Sequence, residues 1–260
     1  MRRIVVGTLG VVLIAGSIAS LGAAASATGT TAHKAEAVQI ASATSSRFLK
    51  TRFARGNTVP GDRDSSPKSI DHVYELQYRL RWEGLFRGTP NGVYGKKTTR
   101  AVKRFQKRVK LRPSGRANHA TWAKLIKSTI RGKSSIPRRC KTSGWHACYD
   151  RKRNRVTLWR SGTLHNEWLV RGGAARYKTR TGDFQVFRRS RHHVSSLYNT
   201  PMPYAQFFSG GQALHASYYM VNPFRGHSHG CVNMYISDAK QLWSITHSKR
   251  LRVHVYGRWS

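Results

Sequence analysis

The residues best suited to chemistry lie near the end of the chain, where a cysteine stands among histidines. Cys231 follows His229 by two residues, and His215 lies further upstream. A thiol attacks a carbonyl carbon as its thiolate, and a nearby histidine is the usual group that takes the proton. In an extended segment His229 would point to the same side as Cys231, whereas His215 could approach from a neighbouring strand. These side chains suffice for acyl transfer.

The glycine before the cysteine fits the same chemistry, although two other interpretations stay open at this point. Gly230 would let backbone N–H groups approach a substrate closely, as an oxyanion hole requires. Alternatively, His227, His229 and Cys231 could bind zinc, with His215 as the fourth ligand. In the third interpretation Cys231 is a buried core thiol without a chemical role.

The other two cysteines lie close together in the sequence. Cys140 and Cys148 flank a short segment that contains Gly144-Trp145. They could close a small loop by a disulfide, which an oxidising compartment permits, or they could be two independent thiols. We expect the disulfide, which leaves Cys231 as the free thiol.

The first residues have the features of an export signal. Arg2 and Arg3 precede an apolar run from Ile4 to Ala25, and the small residues Ala25-Ser26-Ala27 follow. This order predicts a signal peptide over residues 1–27 that is cleaved after Ala27, and the alternative is an uncleaved membrane anchor. We expect a secreted, extracellular protein with no stable membrane anchor after cleavage.

The next segments differ in periodicity. Residues 28–70 lack a sustained period and contain Pro60-Gly61 and Pro67, which predicts a flexible basic spacer. Apolar residues then recur at helical spacing, so residues 71–130 are predicted to form a bundle of three short helices. The apolar positions of these helices are Val73, Leu76 and Leu80, then Ala101, Val102, Phe105 and Val109, then Trp122, Leu125 and Ile126.

The last part of the chain, which must position Cys231, is predicted to be mainly β. A linker is predicted over residues 131–147, and from residue 148 to residue 260 the apolar period is two. The predicted strands are Val156 to Trp159, Glu167 to Arg171, Phe184 to Phe187, Gln212 to Ser217 and Leu251 to Tyr256. A helix is predicted after the cysteine, with Ser237 as its N-terminal cap.

The helical segment resembles a known family. Its pattern is similar to the three-helix peptidoglycan-binding repeat of bacterial wall enzymes over most of residues 71–127. The matching positions are Val73, Leu76-Gln77, Leu80, Gly84, Gly92, Tyr94-Gly95, Thr98, Ala101-Val102, Phe105-Gln106, Leu111, Gly115, Thr121-Trp122 and Leu125. Most of these are core and turn positions, so the resemblance describes the fold of the module better than its ligand site.

The β segment resembles the catalytic domain of the L,D-transpeptidases over about residues 148–257. The motifs that carry the resemblance are "SHGCVNM" around Cys231, "LHAS" around His215, "TRTGDF" at Thr179 to Phe184 and "MPYAQFF" at Met202 to Phe208. The resemblance implies a multidomain protein: a small all-α three-helix bundle followed by a mainly β L,D-transpeptidase catalytic domain.

The resemblance also implies roles for particular residues. Cys231 takes the nucleophile position, and His215 matches the histidine that accepts and donates the proton, although His229 stays an alternative base. His229 and Gly230 match positions that shape the pocket and the oxyanion hole. The positions expected to bind substrate are Ser228, Asn233 and, in the segment that resembles a substrate-covering flap, Tyr204. The family needs no cofactor and no metal.

The implied reaction joins peptidoglycan stem peptides through a thioester on Cys231, giving a 3-to-3 cross-link. With water as the acceptor, the enzyme would be an L,D-carboxypeptidase; a third possibility is a non-catalytic protein that binds wall polyanions. The chain has 47 Lys and Arg against 10 Asp and Glu, a net charge of +37. Such a charge attracts polyanions. Since the leader directs export and no nucleic-acid motif is present, we expect peptidoglycan and anionic wall polymers as partners, not nucleic acid.

Overall fold

The computed structural model describes residues 46–131 and 136–259. The predicted signal peptide (1–27), the first part of the predicted spacer (28–45) and part of the predicted linker (132–135) lie outside the described residues. Within the described ranges, no helix combines the length and the apolar character needed to cross a membrane.

The N-terminal module contains the three predicted helices. They are α1 (Val73–Trp82), α2 (Lys96–Arg108) and α3 (His119–Arg131). Their apolar faces meet in one core, because residues spaced at helical intervals share a face. The fully buried members of this core include Val73, Leu76, Leu80, Ala101, Val102, Phe105, Trp122, Leu125 and Ile126. The prediction of a small helical bundle is confirmed.

The segment before α1 differs from the predicted flexible spacer. Residues 46–49 form a helical turn, and Phe53 and Ala54 are buried. The Phe53 amide donates to the carbonyl oxygen of His165 at 3.1 Å, and Thr58 pairs with Ala117. Residues 46–70 therefore pack against the folded protein. The spacing of apolar residues did not predict this packing, because the segment is held by isolated buried residues and has no repeating apolar face.

The C-terminal domain contains two sheets. In the first, the strand order is β3-β2-β1-β9-β4. Its strands are β1 (Trp145–Asp150), β2 (Arg155–Arg160), β3 (Thr163–Leu169), β4 (Gly182–Gln185) and β9 (Leu251–Tyr256). β1 lies parallel to β9 and antiparallel to β2, so the last strand of the chain occupies an interior position of the sheet.

The second sheet carries the histidine and the cysteine. Its strands are β5 (Arg188–Val194), β6 (Pro201–Ser209), β7 (Gln212–Ala216) and β8 (Val232–Met234), in that order across the sheet. Helix α4 (Ile236–Thr246) follows β8 directly. One apolar core contains buried residues from both sheets and from α4. A mainly β domain is confirmed.

The structure corrects some predicted elements. It adds β1, β5, β6 and β8, and β5 could not be found from its period because its sequence, RRSRHHV, is mostly polar and exposed. Helix α4 begins at Ile236 with Tyr235 as its cap residue and no side-chain capping bond, so Ser237 lies inside the helix and is not its cap.

Cys140 and Cys148 are joined by a disulfide, with their Cα atoms 6.1 Å apart. The bond connects the short 3₁₀ turn Arg138–Lys141 to β1, and both cysteines are buried against Trp159. Because β1 starts at Trp145, the β domain begins before the predicted boundary at residue 148. The disulfide therefore fixes the entry of the chain into this domain.

Candidate active site

Two parallel strands bring Cys231 and His215 to the same part of the second sheet. His215 in β7 lies opposite Asn233 in β8, and Cys231 immediately precedes β8. The alternate residues on these strands, Leu214, Ala216, Val232 and Met234, are buried in the main core. Since successive side chains of a strand point to opposite faces, His215, Cys231 and Asn233 share the other face.

Cys231 is a free, half-buried thiol. Its Sγ donates to the carbonyl oxygen of Gly211 at 3.6 Å, and its side chain packs against a small apolar cluster that includes Met202 and Phe207. Burial raises the pKa of Cys231, while a backbone hydrogen bond from Ala213 and the positive charge of Arg180 act in the opposite direction. The thiol form is favoured at rest, so the attack needs a base.

His215 has the protonation state that a base requires. Its Nδ1 lies 2.7 Å from the carbonyl oxygen of Ala216, so Nδ1 carries the proton and Nε2 is left with a lone pair. Burial lowers the pKa of His215 to about 4, which the bond to Ala216 opposes and the charge of His193 assists. The imidazole is therefore neutral at pH 7 and oriented by its own strand.

The other histidines of the motif lie elsewhere. The ring of His229 is exposed and stacks on Tyr198 at 4.3 Å, with Tyr177 at 4.9 Å. The ring of His227 lies 5.7 Å from that of Trp259. Among the described residues, His215, His227, His229 and Cys231 do not bring three donor atoms within 4.8 Å of one another. This arrangement does not support the zinc interpretation.

One other group of described residues does bring its donor atoms that close: His72, Glu75 and Asp238. Arginine side chains already occupy the space around it. Arg55 Nε lies 3.2 Å from Glu75 Oε2, and Arg79 Nη2 lies 2.8 Å from Glu75 Oε1. Because two guanidinium groups neutralise this carboxylate, the cluster is an ion-pair network and not a cation site.

Ser228 and Gly230 shape the turn before Cys231. Ser228 Oγ donates to the carbonyl oxygen of Cys231 at 2.6 Å and accepts from the Gly230 amide at 3.0 Å. Gly230 has a φ of +113°, and a Cβ there would collide with the side chain of Gln212. Ser228 thus bonds within the turn, and the N–H of Gly230 is already used. Gly230 serves the site through its conformation.

The remaining predicted site residues differ in their positions. The backbone of Asn233 pairs with that of Arg171, and its Oδ1 is buried without a hydrogen-bond partner among the described residues. That oxygen lies on the same face as His215 and Cys231. Tyr204, in contrast, has a φ of +58° and packs against Trp243 of α4 and the main core, at ring distance 6.1 Å. A substrate role for Asn233 and Tyr204 stays a prediction.

Sequence reasoning missed Arg180, whose positive charge acts to lower the pKa of the Cys231 thiol. Its Nε donates to Ser209 Oγ at 2.8 Å, its Nη2 donates to the Ser209 carbonyl oxygen, and its amide donates to Gln212 Oε1 at 2.9 Å. These bonds hold the β6–β7 turn that contains Gly211, the acceptor for the Cys231 thiol. The "TRTGDF" motif contains Arg180, but nothing in that motif alone separates it from other surface arginines.

Comparison with known proteins agrees with this geometry. Residues 69–125 match the family described as a peptidoglycan binding domain, and residues 144–255 match the L,D-transpeptidase catalytic domain. The comparison with curated proteins finds no match.

Among solved structures, an L,D-transpeptidase from Stackebrandtia nassauensis is 26% identical with a TM-score of 0.48, covering 73% of this chain and 92% of that one. A fragment, residues 123–326, of an L,D-transpeptidase from Xylanimonas cellulosilytica is 28% identical with a TM-score of 0.39, covering 78% and 96%. The two family matches agree with the helical module and the β domain that the structure describes. The chain thus carries a peptidoglycan-binding domain followed by the cysteine-dependent catalytic domain of the L,D-transpeptidase family.

Proposed function

We propose that the protein cross-links peptidoglycan by acyl transfer, with Cys231 as the nucleophile and His215 as the base. The observation that supports this most directly is the His215 imidazole, which is neutral, oriented through Nδ1 by Ala216, and on the strand beside the cysteine. The substrate is the stem peptide of the wall, a tetrapeptide donor and a second stem as acceptor.

In the first half of the reaction, Cys231 Sγ attacks the carbonyl carbon of the third, L-centre residue as its proton passes to His215 Nε2. Backbone amides of the site other than the Gly230 N–H, which donates to Ser228 Oγ, stabilise the oxyanion of the tetrahedral intermediate. The intermediate collapses, the peptide C–N bond breaks, and the protonated His215 donates its proton to the leaving D-alanine nitrogen. A thioester remains on Cys231.

In the second half, the side-chain amine of a diamino acid on another stem attacks the thioester carbon and loses a proton to His215 Nε2. The C–S bond breaks, and the sulfur takes the proton back as the thiol. The product is a 3-to-3 cross-link. If water attacks instead, the same residues release a tripeptide as an L,D-carboxypeptidase would.

The proposal is tested by incubating the protein with disaccharide–tetrapeptide and with a carbapenem in separate reactions, alongside Cys231→Ala. We expect release of D-alanine and a cross-linked dimer in the first reaction, and one drug-sized mass adduct in the second. The Cys231→Ala variant gives neither. Tripeptide without dimer would favour the carboxypeptidase, and a folded, reduced parent with neither product nor adduct would overturn the proposal.

We further propose that the positive surface retains the secreted enzyme on anionic wall polymers. Five of the described carboxylates, Asp64, Glu75, Asp150, Glu167 and Asp238, are buried. Little negative charge is therefore left at the surface to offset a net charge of +37. We expect salt to extract the protein more easily from walls that lack teichoic acid or similar polymers; equal retention on both walls would contradict this.

A further inference from the structure

The helical module contacts the loop that leads from the base to the nucleophile. We call residues 217–231 the catalytic loop. Tyr78 on α1 donates its hydroxyl to Asn222 Oδ1 at 3.2 Å. The ring of Phe224 meets that of Tyr78 edge-on at 4.6 Å and that of Trp82, one helical turn later, at 6.0 Å. The middle of the loop is therefore held by a different domain.

Asn222 receives several of the bonds that fix this loop. It is 7% exposed, and its Oδ1 also accepts from the Phe224 amide at 2.9 Å. Its carbonyl oxygen accepts from Arg171 Nη2 at 2.8 Å. The same carboxamide oxygen of Asn222 accepts from the Tyr78 hydroxyl and from the loop backbone. The Tyr78 hydroxyl is therefore part of the hydrogen-bond network that holds the turn.

Arg171 carries this constraint to the nucleophile. Its backbone N–H donates to the Asn233 carbonyl oxygen at 2.9 Å, and its carbonyl oxygen accepts from the Asn233 amide at 2.8 Å. The next residue, Gly172, accepts from the Ser228 amide at 2.8 Å. The Arg171 side chain thus binds the middle of the catalytic loop, while the adjoining backbone binds both sides of Cys231.

A second contact of the module lies on the far side of the nucleophile. The ring of His72, just before α1, meets Tyr235 edge-on at 5.4 Å, and its Nε2 lies 2.9 Å from Asp238 Oδ1. Tyr235 directly follows β8, and its hydroxyl donates to the carbonyl oxygen of Val221 at 2.8 Å. The module therefore contacts the chain before and after Cys231.

We propose that the helical module is a positioning element of the active site, in which Tyr78 and Trp82 hold the catalytic loop so that Cys231 stays aligned with His215. The proposal goes beyond peptidoglycan binding by the module, and it rests on the proposed nucleophile. Loss of these contacts leaves the residues of the reaction in place but lets the loop move, and a displacement of about 1 Å can cost about a hundredfold in rate.

The test compares variants of α1 in the full-length mature protein. Tyr78→Phe removes only the hydroxyl that binds Asn222, and Tyr74→Phe is its matched control one turn earlier on the same helix. Trp82→Ala removes the ring beside Phe224, whereas Trp82→Phe keeps an aromatic edge there. The readouts are the first-order rate of Cys231 acylation at saturating carbapenem, and kcat and KM for the tetrapeptide.

We expect Trp82→Ala to lower the acylation rate and kcat by about tenfold or more, with little change in KM. Trp82→Phe should restore most of this loss, and Tyr78→Phe should cost about threefold, the equivalent of one modest hydrogen bond. Tyr74→Phe should match the parent.

Parent-like acylation in a folded Tyr78→Phe and a folded Trp82→Ala would overturn the proposal, as would a loss confined to binding of isolated peptidoglycan. If Trp82→Ala does not fold, Tyr78→Phe decides, and a parent-like acylation rate in that variant overturns the proposal. A parent that is not acylated at all would instead count against the proposed nucleophile.

Discussion

At the scale of single residues, the two histidines near Cys231 differ in burial and in hydrogen bonding. His215 is 6% exposed and bonded through Nδ1, whereas His229 is exposed and stacked on Tyr198. Spacing favoured neither, because His229 is close in sequence and His215 is close only through strand pairing. The buried His215 ring has the fixed orientation that a general base needs. The exposed His229 ring can contact a substrate or a covering strand.

The pH dependence of acylation distinguishes these histidines. Since burial lowers the pKa of His215 to about 4, its basic form persists far below the usual pKa of histidine. We expect the acidic limb of kcat/KM for carbapenem acylation to lie near pH 4, and His215→Gln to lower kcat/KM by at least about a hundredfold. His229→Gln is the control and should keep the same acidic limb. An acidic limb that is lost in His229→Gln and kept in His215→Gln would assign the base to His229.

At the scale of elements, the spacing of apolar residues predicted the helices and strands that have a repeating apolar face. It missed the elements that lack one. The three helices and β9 follow from such faces. β5 is polar along its length because it lies at the edge of its sheet, where little of it is buried. Of the residues that the motifs singled out, His215 and Cys231 lie on adjacent parallel strands, but Arg180 and the Asn222 turn depend on contacts between distant segments. Those contacts leave no local pattern in the sequence.

The β5–β6 hairpin makes one such contact between distant segments at the candidate site. Tyr198, in the connection between these strands, stacks on His229 with an interplanar angle of 22°. The hairpin therefore reaches over the turn that precedes Cys231. An aromatic contact of this kind contributes about 1 kcal/mol to holding the hairpin against this turn.

We expect Tyr198→Ala to expose the nucleophile. The rate of Cys231 alkylation by a small reagent such as iodoacetamide should rise a few-fold, in line with the loss of an aromatic contact of about 1 kcal/mol, while kcat/KM for the tetrapeptide falls. Leu197→Ala is the matched control on the adjacent residue, whose side chain is 82% exposed, and it should change neither rate. Equal alkylation rates in Tyr198→Ala and the parent would show that the stack does not restrict access to Cys231.

At the scale of the whole molecule, buried charges join the two domains. Arg55, before α1, contacts Glu75 on α1 and the carbonyl oxygen of Glu167 on β3. Arg79 on α1 lies 3.3 Å from Glu167 Oε1 and also bonds Glu75. Asp238 on α4 lies 3.9 Å from Arg55. The protein has few acidic residues, and three of them, Glu75, Glu167 and Asp238, lie between basic residues here. These ion pairs fix how the module packs against the catalytic domain.

Glu75 is the carboxylate on which this interface most depends. Burial alone would raise its pKa, but Arg55 and Arg79 outweigh that effect and lower the pKa to about 2. Glu75→Gln keeps the shape and leaves two buried guanidinium groups short of a counter-charge, which we expect to lower the free energy of unfolding by about 3–5 kcal/mol. Glu83→Gln breaks a more exposed pair with Arg108 and should cost less than about 1 kcal/mol.

Denaturant titration of the parent and both variants measures these differences, and pH provides an internal check on their cause. The contribution of a carboxylate with a lowered pKa is fully present above its unfolded pKa of about 4.5 and is lost as the pH falls through about 2. The gap between Glu75→Gln and the parent should therefore shrink as the pH approaches 2, because the parent then also loses the charge. A difference in the free energy of unfolding that stays constant with pH would attribute the loss to packing. Similar free energies of unfolding for Glu75→Gln and Glu83→Gln at pH 7 would show that the buried network does not hold the domains together.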